Sequence, residues 1–254
     1  MDSFLSWIGG KRLLRKEIVK RLWPGRGNYI EVFGGAAWVL FYKEKEPVEV
    51  YNDINSELVN LFLQVKYHPE AILKEFEFLL NSRQIFNNFK NYLGLTEIQR
   101  AARFLYLVRF SFGAKADSFG TSKTCSPLKL STIIAQIQKA HQRLNSVVIE
   151  NLSFEKCIEK YDSPKSFFYC DPPYVKGMDY KCFGINFTLD DHVRLAEILK
   201  NIQGKFLLSY DDNEFIRELY KDYIIEEFER LNGINRKKIR NNYFKELLIR
   251  NYEL

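Results

Sequence analysis

One short segment near the N-terminus constrains the fold of this 254-residue chain more than any other. It runs from an apolar stretch at 29–33 through two glycines, Gly34 and Gly35, and a helical pattern to a second apolar stretch at 48–51, which leads to Asp53. Apolar stretches joined by a glycine turn and a helix are typical of a βαβ unit. Because parallel strands need such a crossover between them, this segment predicts a parallel sheet.

The rest of the chain repeats this alternation, but only after a long helical interruption. Further strands are predicted at 147–149, 166–170, 205–209, 223–228 and 243–250, and helices at 11–22, 55–66, 69–80, 83–93, 97–109, 131–144, 190–201 and 213–220. We therefore predict an α/β fold in which residues 1–56 and 147–254 form a sheet domain and residues 57–146 form an inserted helical domain. The sheet should be largely parallel, with an antiparallel C-terminal strand at 243–250.

The net charge of +6 is concentrated in two parts of the chain. Residues 57–148 contain twelve Lys or Arg against six Asp or Glu, and residues 230–250 contain seven against one. Two basic stretches of this kind are typical of a protein that binds a polyanion such as nucleic acid. Solvated helix faces are the simpler alternative for each charge run.

Other features exclude several classes of protein. No stretch approaches the roughly 20 apolar residues that a membrane span requires, and the N-terminus lacks the pattern of a secretory signal. The cysteines form no C-x-x-C pair, so we expect reduced thiols, no metal site and a cytoplasmic location. His192 follows two acidic residues at a predicted helix start, so we predict a structural or capping role for it.

Asp171-Pro172-Pro173-Tyr174 follows a predicted buried strand and forms the strongest candidate site. The carboxylate of Asp171 can accept one N–H of an exocyclic amine, and the carbonyl of Pro172 can accept the other. Tyr174 can stack on the ring of a base that has left its helix. The motif therefore predicts a slot for an aminated planar base, although a simple turn at the strand end is the alternative.

A second group of residues suggests a neighbouring ligand. Glycines at 34–35 let the backbone approach a ligand closely, and an acid about 20 residues further on, here Asp53, can reach ribose hydroxyls. The alternative for Asp53 is a helix N-cap. Lys11 can neutralise a carboxylate, and Trp7 can form a stacking wall or simply dock the N-terminus onto the core. The pyrophosphate fingerprint G-x-G-x-x-G is absent.

The ordered set of motifs resembles one family. The motifs are Trp7-x-Gly9-Gly10-Lys11, Phe33-Gly34-Gly35, Asp53-x-Asn55, a helical insertion, and Asp171-Pro172-Pro173-Tyr174. Together they resemble the Dam-type N6-adenine DNA methyltransferases (D12 class, alpha group). The resemblance implies a Rossmann-like methyltransferase sheet with an inserted target-recognition domain. It also implies methyl transfer from S-adenosylmethionine to adenine N6 at a short sequence in duplex DNA, by base flipping and direct displacement.

The resemblance also implies the roles of individual residues. Cofactor contacts are expected at Trp7, Lys11, Phe33, Gly34, Gly35, Asp53 and Asp171. The catalytic slot for an extruded adenine is expected at Asp171, Pro172, Pro173 and Tyr174, with residues 151–154 at the edge of the cofactor adenine. Methylation of RNA adenine or of cytosine N4, and a catalytically idle DNA-binding module, are the alternatives.

DNA contacts are expected in two basic stretches. The first is a glycine-bearing stretch of the insertion and the second lies between the last two strands; the candidate residues are Arg109, Phe112, Lys115, Lys123, Arg236, Lys237 and Lys238. Basic side chains can hold phosphates, and a bulky apolar one can fill the gap left by an extruded base. Ordinary surface loops are the alternative. The recognised sequence, the oligomeric state and a partnership with a cognate restriction endonuclease are left open.

Overall fold

The computed structural model describes residues 1–77, 79–120, 130–175, 186–231 and 243–254. Within these residues the sheet has seven strands: β1 (Asn28–Glu31), β2 (Val48–Asn52), β3 (Val147–Glu150), β4 (Ser166–Cys170), β5 (Lys205–Asp211), β6 (Ile224–Leu231) and β7 (Tyr243–Arg250). The helices are α1 (Arg15–Lys20), α2 (Trp38–Tyr42), α3 (Ser56–Tyr67), α4 (Pro69–Glu77), α5 (Arg83–Asn91), α6 (Glu97–Phe110), α7 (Leu130–Leu144), α8 (Phe154–Tyr161), α9 (Leu189–Lys200) and α10 (Glu214–Leu219). None of the described helices is long and apolar enough to cross a membrane.

The strand order is β3-β2-β1-β4-β5-β7-β6, which confirms the predicted α/β class. Strands β1 to β5 pair in parallel, and β7 pairs antiparallel with both β5 and β6, as predicted for the C-terminal strand. Strand β1 lies between β2 and β4. The strand order runs outward from β1 to β2 and β3 on one side and continues with β4 and β5 on the other, so its direction reverses beside β1. Ligands of open α/β sheets bind at such a switch point, beyond the carboxyl ends of the strands.

The predicted elements agree with the structure except at a few places. Helix α1 is shorter than the predicted 11–22, and α8 was not predicted. Yet α8 has the spacing of an amphipathic helix, because Phe154, Cys157, Ile158 and Tyr161 recur at one-turn intervals. The Ser153 hydroxyl accepts a hydrogen bond from the third residue of α8 and so marks its start.

Helices cover both faces of the sheet. On one face, Tyr51 of β2 stacks on Phe62 of α3 with ring centroids 4.1 Å apart, and the same core continues into α6 and α7. On the other face, β-strand side chains such as Phe168 pack against α8, α9 and α10. The first helix of the proposed insertion thus shares a core with the sheet, and the division at residue 57 stays a prediction.

A buried ionic cluster joins α7 to the sheet. The Glu49 carboxylate of β2 accepts hydrogen bonds from the two terminal guanidinium nitrogens of Arg143, at 2.6 and 2.8 Å. It also accepts one from the Lys43 ammonium at 2.5 Å. Arg143 also donates to the carbonyl of Leu40 at 2.7 Å. All three charged side chains are nearly or fully buried, so the cluster holds its charges by mutual pairing rather than by solvent.

Candidate active site

A cleft opens beyond the carboxyl ends of β1, β2 and β4, at the switch point of the sheet. All seven predicted cofactor contacts line this cleft: Trp7, Lys11, Phe33, Gly34, Gly35, Asp53 and Asp171. Pro173 of the predicted catalytic slot lines it as well. Residues that are 164 positions apart in the chain therefore meet in one place, as expected if strand ends build the site.

The turn at 34–35 requires glycine, because neighbouring groups occupy the space that a side chain would need. A Cβ on Gly34 would lie 2.2 Å from Cε2 of Tyr51, whose ring is fully buried. Gly35 has a left-handed backbone with φ of +49°, and its carbonyl accepts the Tyr51 hydroxyl at 2.8 Å. Tyr51 therefore supports the turn from the side of the core, and the turn also borders the cleft.

Replacing Gly34 with alanine should destabilise this turn and the core beneath it. We expect the free energy of unfolding to fall by about 3 kcal/mol or more, because the Tyr51 ring is stacked and has no space to move. Urea denaturation measures the change. The control is Gly27→Ala, where the nearest heavy atom would be 3.4 Å from the new Cβ, and where the change should stay within about 1 kcal/mol. Equal stability of the two variants would contradict this account of the turn.

Asp53 fixes the turn from the neighbouring strand. Its Oδ2 accepts the backbone N–H of Gly35 at 2.8 Å, and its Oδ1 accepts that of Asn55, also at 2.8 Å. The N-cap of α3 is Asn55, whose side chain accepts from two backbone N–H groups of the first turn. Asp53 is therefore tied to the glycine turn rather than acting as the cap. Burial raises the pKa of its carboxyl, and the backbone hydrogen bonds oppose that rise.

Asn52 is a site residue to which the sequence analysis gave no role. Its amide nitrogen donates to the carbonyls of Val32 and Leu152, at 2.9 and 3.1 Å, and its Oδ1 accepts the N–H of Leu152 at 2.9 Å. Asn52 thus joins the chain segments that leave β1 and β3. Asn52 is 1% exposed. An amide residue at the end of an apolar strand is the sequence signal for such a clamp. Its partners lie too far along the chain to be predicted from the sequence.

The carboxylate of Asp171 lies between a cation and a hydroxyl. Lys11 Nζ is 2.6 Å from Oδ1, and the Ser209 hydroxyl donates to the same oxygen at 2.9 Å. Burial raises the pKa of the Asp171 carboxyl, and the Lys11 ammonium opposes that rise. Lys11 itself is 5% exposed, also donates to the Gly9 carbonyl, and lies 4.6 Å from the ring centroid of Tyr174.

Tyr174 is held by groups from β5 and β7. Its hydroxyl donates to Glu246 Oε2 at 3.3 Å, and its ring lies 6.0 Å from that of Tyr210. The Tyr210 hydroxyl is in turn 2.6 Å from Nδ1 of His192, which is buried at 2% exposure. Burial lowers the pKa of His192, so a neutral imidazole packs behind the slot, consistent with the predicted structural role.

Glu31 adds a buried carboxyl to the same cleft. Its Oε2 accepts the hydroxyl of Tyr29 at 2.9 Å and the backbone N–H of Leu40 at 3.0 Å. Burial raises the pKa of Glu31 from its usual 4.5 to about 8, so the carboxyl is protonated in the folded protein at neutral pH.

The protonated state of Glu31 predicts how stability depends on pH. Because the folded state retains a proton that the unfolded state releases, its contribution is present at low pH and is lost as the pH rises from about 4.5 through about 8. Glu31→Gln keeps an acceptor for Tyr29 and Leu40 but cannot ionise. Urea denaturation across this range should show a smaller loss of stability for the variant, and identical slopes would refute the assignment.

The predicted DNA-binding residues of the insertion fall into different environments. Arg109 is half-buried and donates to the carbonyl of Phe4 at 2.8 Å, which anchors the N-terminal segment. Phe112 and Lys115 are exposed, and Phe112 is 65% exposed. Their loop is closed by hydrogen bonds from Phe112 N to Ser118 O and from Gly120 N to Phe110 O. The remaining candidates lie outside the described residues: Lys123, Arg236, Lys237 and Lys238.

Comparison with known proteins identifies the family of this chain. The family described as D12 class N6 adenine-specific DNA methyltransferase matches residues 7–238, and the chain belongs to that family. It is therefore an enzyme that methylates N6 of adenine in DNA, with S-adenosylmethionine implied as the methyl donor.

Three relatives align along almost the whole chain. The type II methyltransferase M1.LlaDCHI of Lactococcus lactis subsp. cremoris is 29% identical over 99% of this chain and 96% of the relative. The type II methyltransferase M.CviBI of Paramecium bursaria Chlorella virus NC1A is 26% identical over 91% of this chain and 90% of the relative. A DNA adenine methylase of Haemophilus influenzae is 28% identical over 96% of this chain and 92% of the relative.

Proposed function

We propose that this cleft binds S-adenosylmethionine beside a slot that receives an adenine flipped out of duplex DNA. The observation that carries the proposal is the position of Asp171, which lines the glycine cleft and also begins the Asp-Pro-Pro-Tyr slot. One carboxylate therefore borders both ligands. Transfer of a group between two bound molecules requires this contiguity, because the reacting atoms must be held about 3–3.5 Å apart.

The residues present fit the proposed cofactor. The glycine cleft continues into a second hollow, and the two share Phe33, Ile54 and Phe187 in their walls. A continuous cleft of this kind suits an elongated ligand with an amino-acid end and a nucleoside end. Within the part of the chain that the structure describes, Lys11 uses two of its three N–H groups on Gly9 and Asp171, which leaves the third for the carboxylate of the amino-acid end.

The nucleoside end is assigned to the second hollow. Leu152, Ser153 and Phe154 line it, which agrees with the expectation that residues 151–154 edge the cofactor adenine. Phe33 packs against both Phe154 and Phe187, with ring centroids 5.8 Å apart in each case. These rings form an apolar wall along the cleft where the two hollows meet, and they suit the flat face of a base.

The slot residues prepare the adenine amine for reaction. When bound, S-adenosylmethionine supplies a methyl group whose C–S bond breaks as adenine N6 forms the new N–C bond. Asp171 accepts one N–H of the amine and the Pro172 carbonyl accepts the other, which frees the nitrogen lone pair from the ring. The negative charge of the partly buried Asp171 carboxylate also stabilises the positive charge that develops on N6. One N6 proton then leaves, and Asp171 is the carboxylate within reach.

The exposed loop of the insertion is the proposed contact with duplex DNA. Phe112 presents an apolar ring to solvent, and Lys115 places a cation three residues further on. A bulky side chain can fill the gap in a base stack while a nearby lysine holds phosphate. The basic stretch at 236–240 is proposed as a second phosphate contact, and the cytoplasm as the place of action.

A methyl-transfer assay tests the proposed function directly. The full chain is incubated with tritiated S-adenosylmethionine and either duplex DNA or RNA, and the labelled nucleic acid is then digested to nucleosides. We expect the label in N6-methyladenine from duplex DNA. Label in RNA adenine or in N4-methylcytosine, or no transfer with intact cofactor binding, would overturn the proposal.

The biological role needs a separate measurement. Some relatives are named type II methyltransferase and others DNA adenine methylase, so the comparisons favour neither a partner endonuclease nor a solitary role. Single-molecule sequencing of host DNA after expression reports the modified base and its sequence context together. A recognition sequence shared with a neighbouring nuclease would support the partnership.

A further inference from the structure

Behind the slot lies a buried serine that the mechanism above does not use. Ser209 is on β5, next to the end of β4, and is 0% exposed. Its hydroxyl is 2.9 Å from Oδ1 of Asp171 and 3.5 Å from the carbonyl oxygen of Cys170. A hydroxyl has one hydrogen to donate, and the shorter contact to a charged acceptor is the stronger of the two. The Ser209 hydrogen therefore goes to Asp171.

A tyrosine completes this hydrogen-bonded chain. The Tyr169 hydroxyl is 3.2 Å from Ser209 Oγ. Since the Ser209 hydrogen is used on Asp171, Tyr169 must be the donor and Ser209 the acceptor. Tyr169 is 1% exposed, and burial raises the pKa of its hydroxyl, which keeps it a neutral donor. Two consecutive hydrogen bonds from the interior thus end on one oxygen of the carboxylate.

The two oxygens of Asp171 are consequently unequal. Among the described residues, the hydrogen bond from Ser209 and the ion pair with Lys11 both fall on Oδ1. Two donors on one oxygen fix the rotation of the carboxylate about its Cβ–Cγ bond. Oδ2 is then left as the acceptor for a ligand.

We propose that Ser209 is a positioning residue that fixes Asp171 through Oδ1, so that Oδ2 accepts an N–H of the target amine. This inference rests on the proposed function of the slot. It divides the work of the carboxylate between one oxygen that is held by the protein and one that meets the substrate. Neither motif spacing nor the resemblance assigned this role, because Ser209 lies 38 residues beyond Asp171.

Loss of the Ser209 hydroxyl should also change the dependence of kcat on pH. The charged groups near Asp171 are Lys11, which favours its ionised form, and Glu246, which opposes it, whereas the Glu31 carboxyl is protonated at neutral pH. None of them is altered by a change at Ser209. The serine hydrogen bond favours the ionised carboxylate, so its removal should shift the acidic limb of the kcat profile to higher pH.

The experiment compares Ser209→Ala and Ser209→Cys with the wild-type enzyme on duplex DNA. Ser209→Cys keeps the volume with a weaker donor and decides the question if the alanine variant does not fold. We expect kcat to fall by about ten- to a hundredfold, the size expected for one hydrogen bond to a charged group, together with the shifted acidic limb. Binding of S-adenosylhomocysteine should be unchanged.

The matched control is Ser166→Ala. Ser166 is also 0% exposed, but its hydroxyl donates to the carbonyl of Tyr161 at the opposite end of β4. The kcat and the pH profile of Ser166→Ala should equal those of the wild-type enzyme. Wild-type kcat and pH profile in Ser209→Ala or Ser209→Cys would overturn the inference, as would a fall in kcat without the shifted limb. Failure of the wild-type enzyme to methylate DNA would instead overturn the proposed function itself.

Discussion

Replacing Asp171 with alanine is expected to reduce the rate of methyl transfer by about a thousandfold, with the protein still folded. In the proposed mechanism, the change removes an acceptor for the adenine amine and the negative charge that stabilises the charge developing on N6. Removal of a single group that stabilises transition-state charge typically lowers kcat by about 10²–10³-fold. Single-turnover transfer of tritiated methyl to duplex DNA measures this loss.

Two further variants separate charge from folding. Asp171→Asn keeps an acceptor oxygen but loses the charge, so it should also be strongly impaired. Glu218→Ala removes a carboxylate of α10 whose ion-pair partner among the described residues is Lys221 on the surface, and it should keep the wild-type rate. Thermal denaturation checks that each variant is folded. A folded Asp171→Ala with wild-type turnover would show that the slot does not act through this carboxylate.

Much of the candidate site could be predicted because it is built from the ends of strands. Gly34, Asp53 and Asp171 each follow an apolar run, and parallel strands bring their carboxyl ends to one edge of a sheet. The sequence therefore indicates that these residues meet, before any contact is known. The same argument does not give hydrogen-bond partners, which depend on the register between strands.

The residues that were missed illustrate this limit. Ser209 and Glu246 reach the slot from β5 and β7, and their place beside Asp171 and Tyr174 follows from strand pairing across the sheet. The N-cap alternative for Asp53 was likewise excluded only by the structure, in which Asn55 caps α3 and Asp53 accepts the N–H of Gly35. Local preference identified a capping segment but could not show that Asn55 is the residue that caps.

Position in the chain was also a poor guide to the exposure of charged residues. Arg109 lies in a basic part of the insertion and was a candidate for DNA binding, yet its guanidinium donates to the carbonyl of Phe4. Burial lowers the pKa of Arg109, as expected for a cation removed from solvent. A charge count reports how many cations a segment carries, whereas helix packing decides which of them face a ligand.

The largest effect on stability is expected at the ionic cluster that joins α7 to the sheet. Arg143→Met removes the bidentate partner of Glu49 and leaves that carboxylate with Lys43 alone in a buried site. Removing one member of a buried ion pair typically costs about 3–5 kcal/mol. Because Lys43 still compensates the charge of Glu49, we expect the lower end of that range. Urea denaturation of the folded enzyme should show a fall in the free energy of unfolding of this size.

An ion pair on the surface provides the control for this prediction. Lys221→Met breaks the exposed pair between Lys221 and Glu218, and pairs that are screened by solvent contribute little to stability. A small effect for both variants would show that the cluster around Glu49 is solvated and does not hold α7 in place. A large effect for Arg143→Met alone would show that docking of α7 depends on burial of these charges. Because the Glu49 partners come from α7 and from the end of α2, whose start borders the proposed cofactor cleft, the same variant should also weaken S-adenosylhomocysteine binding.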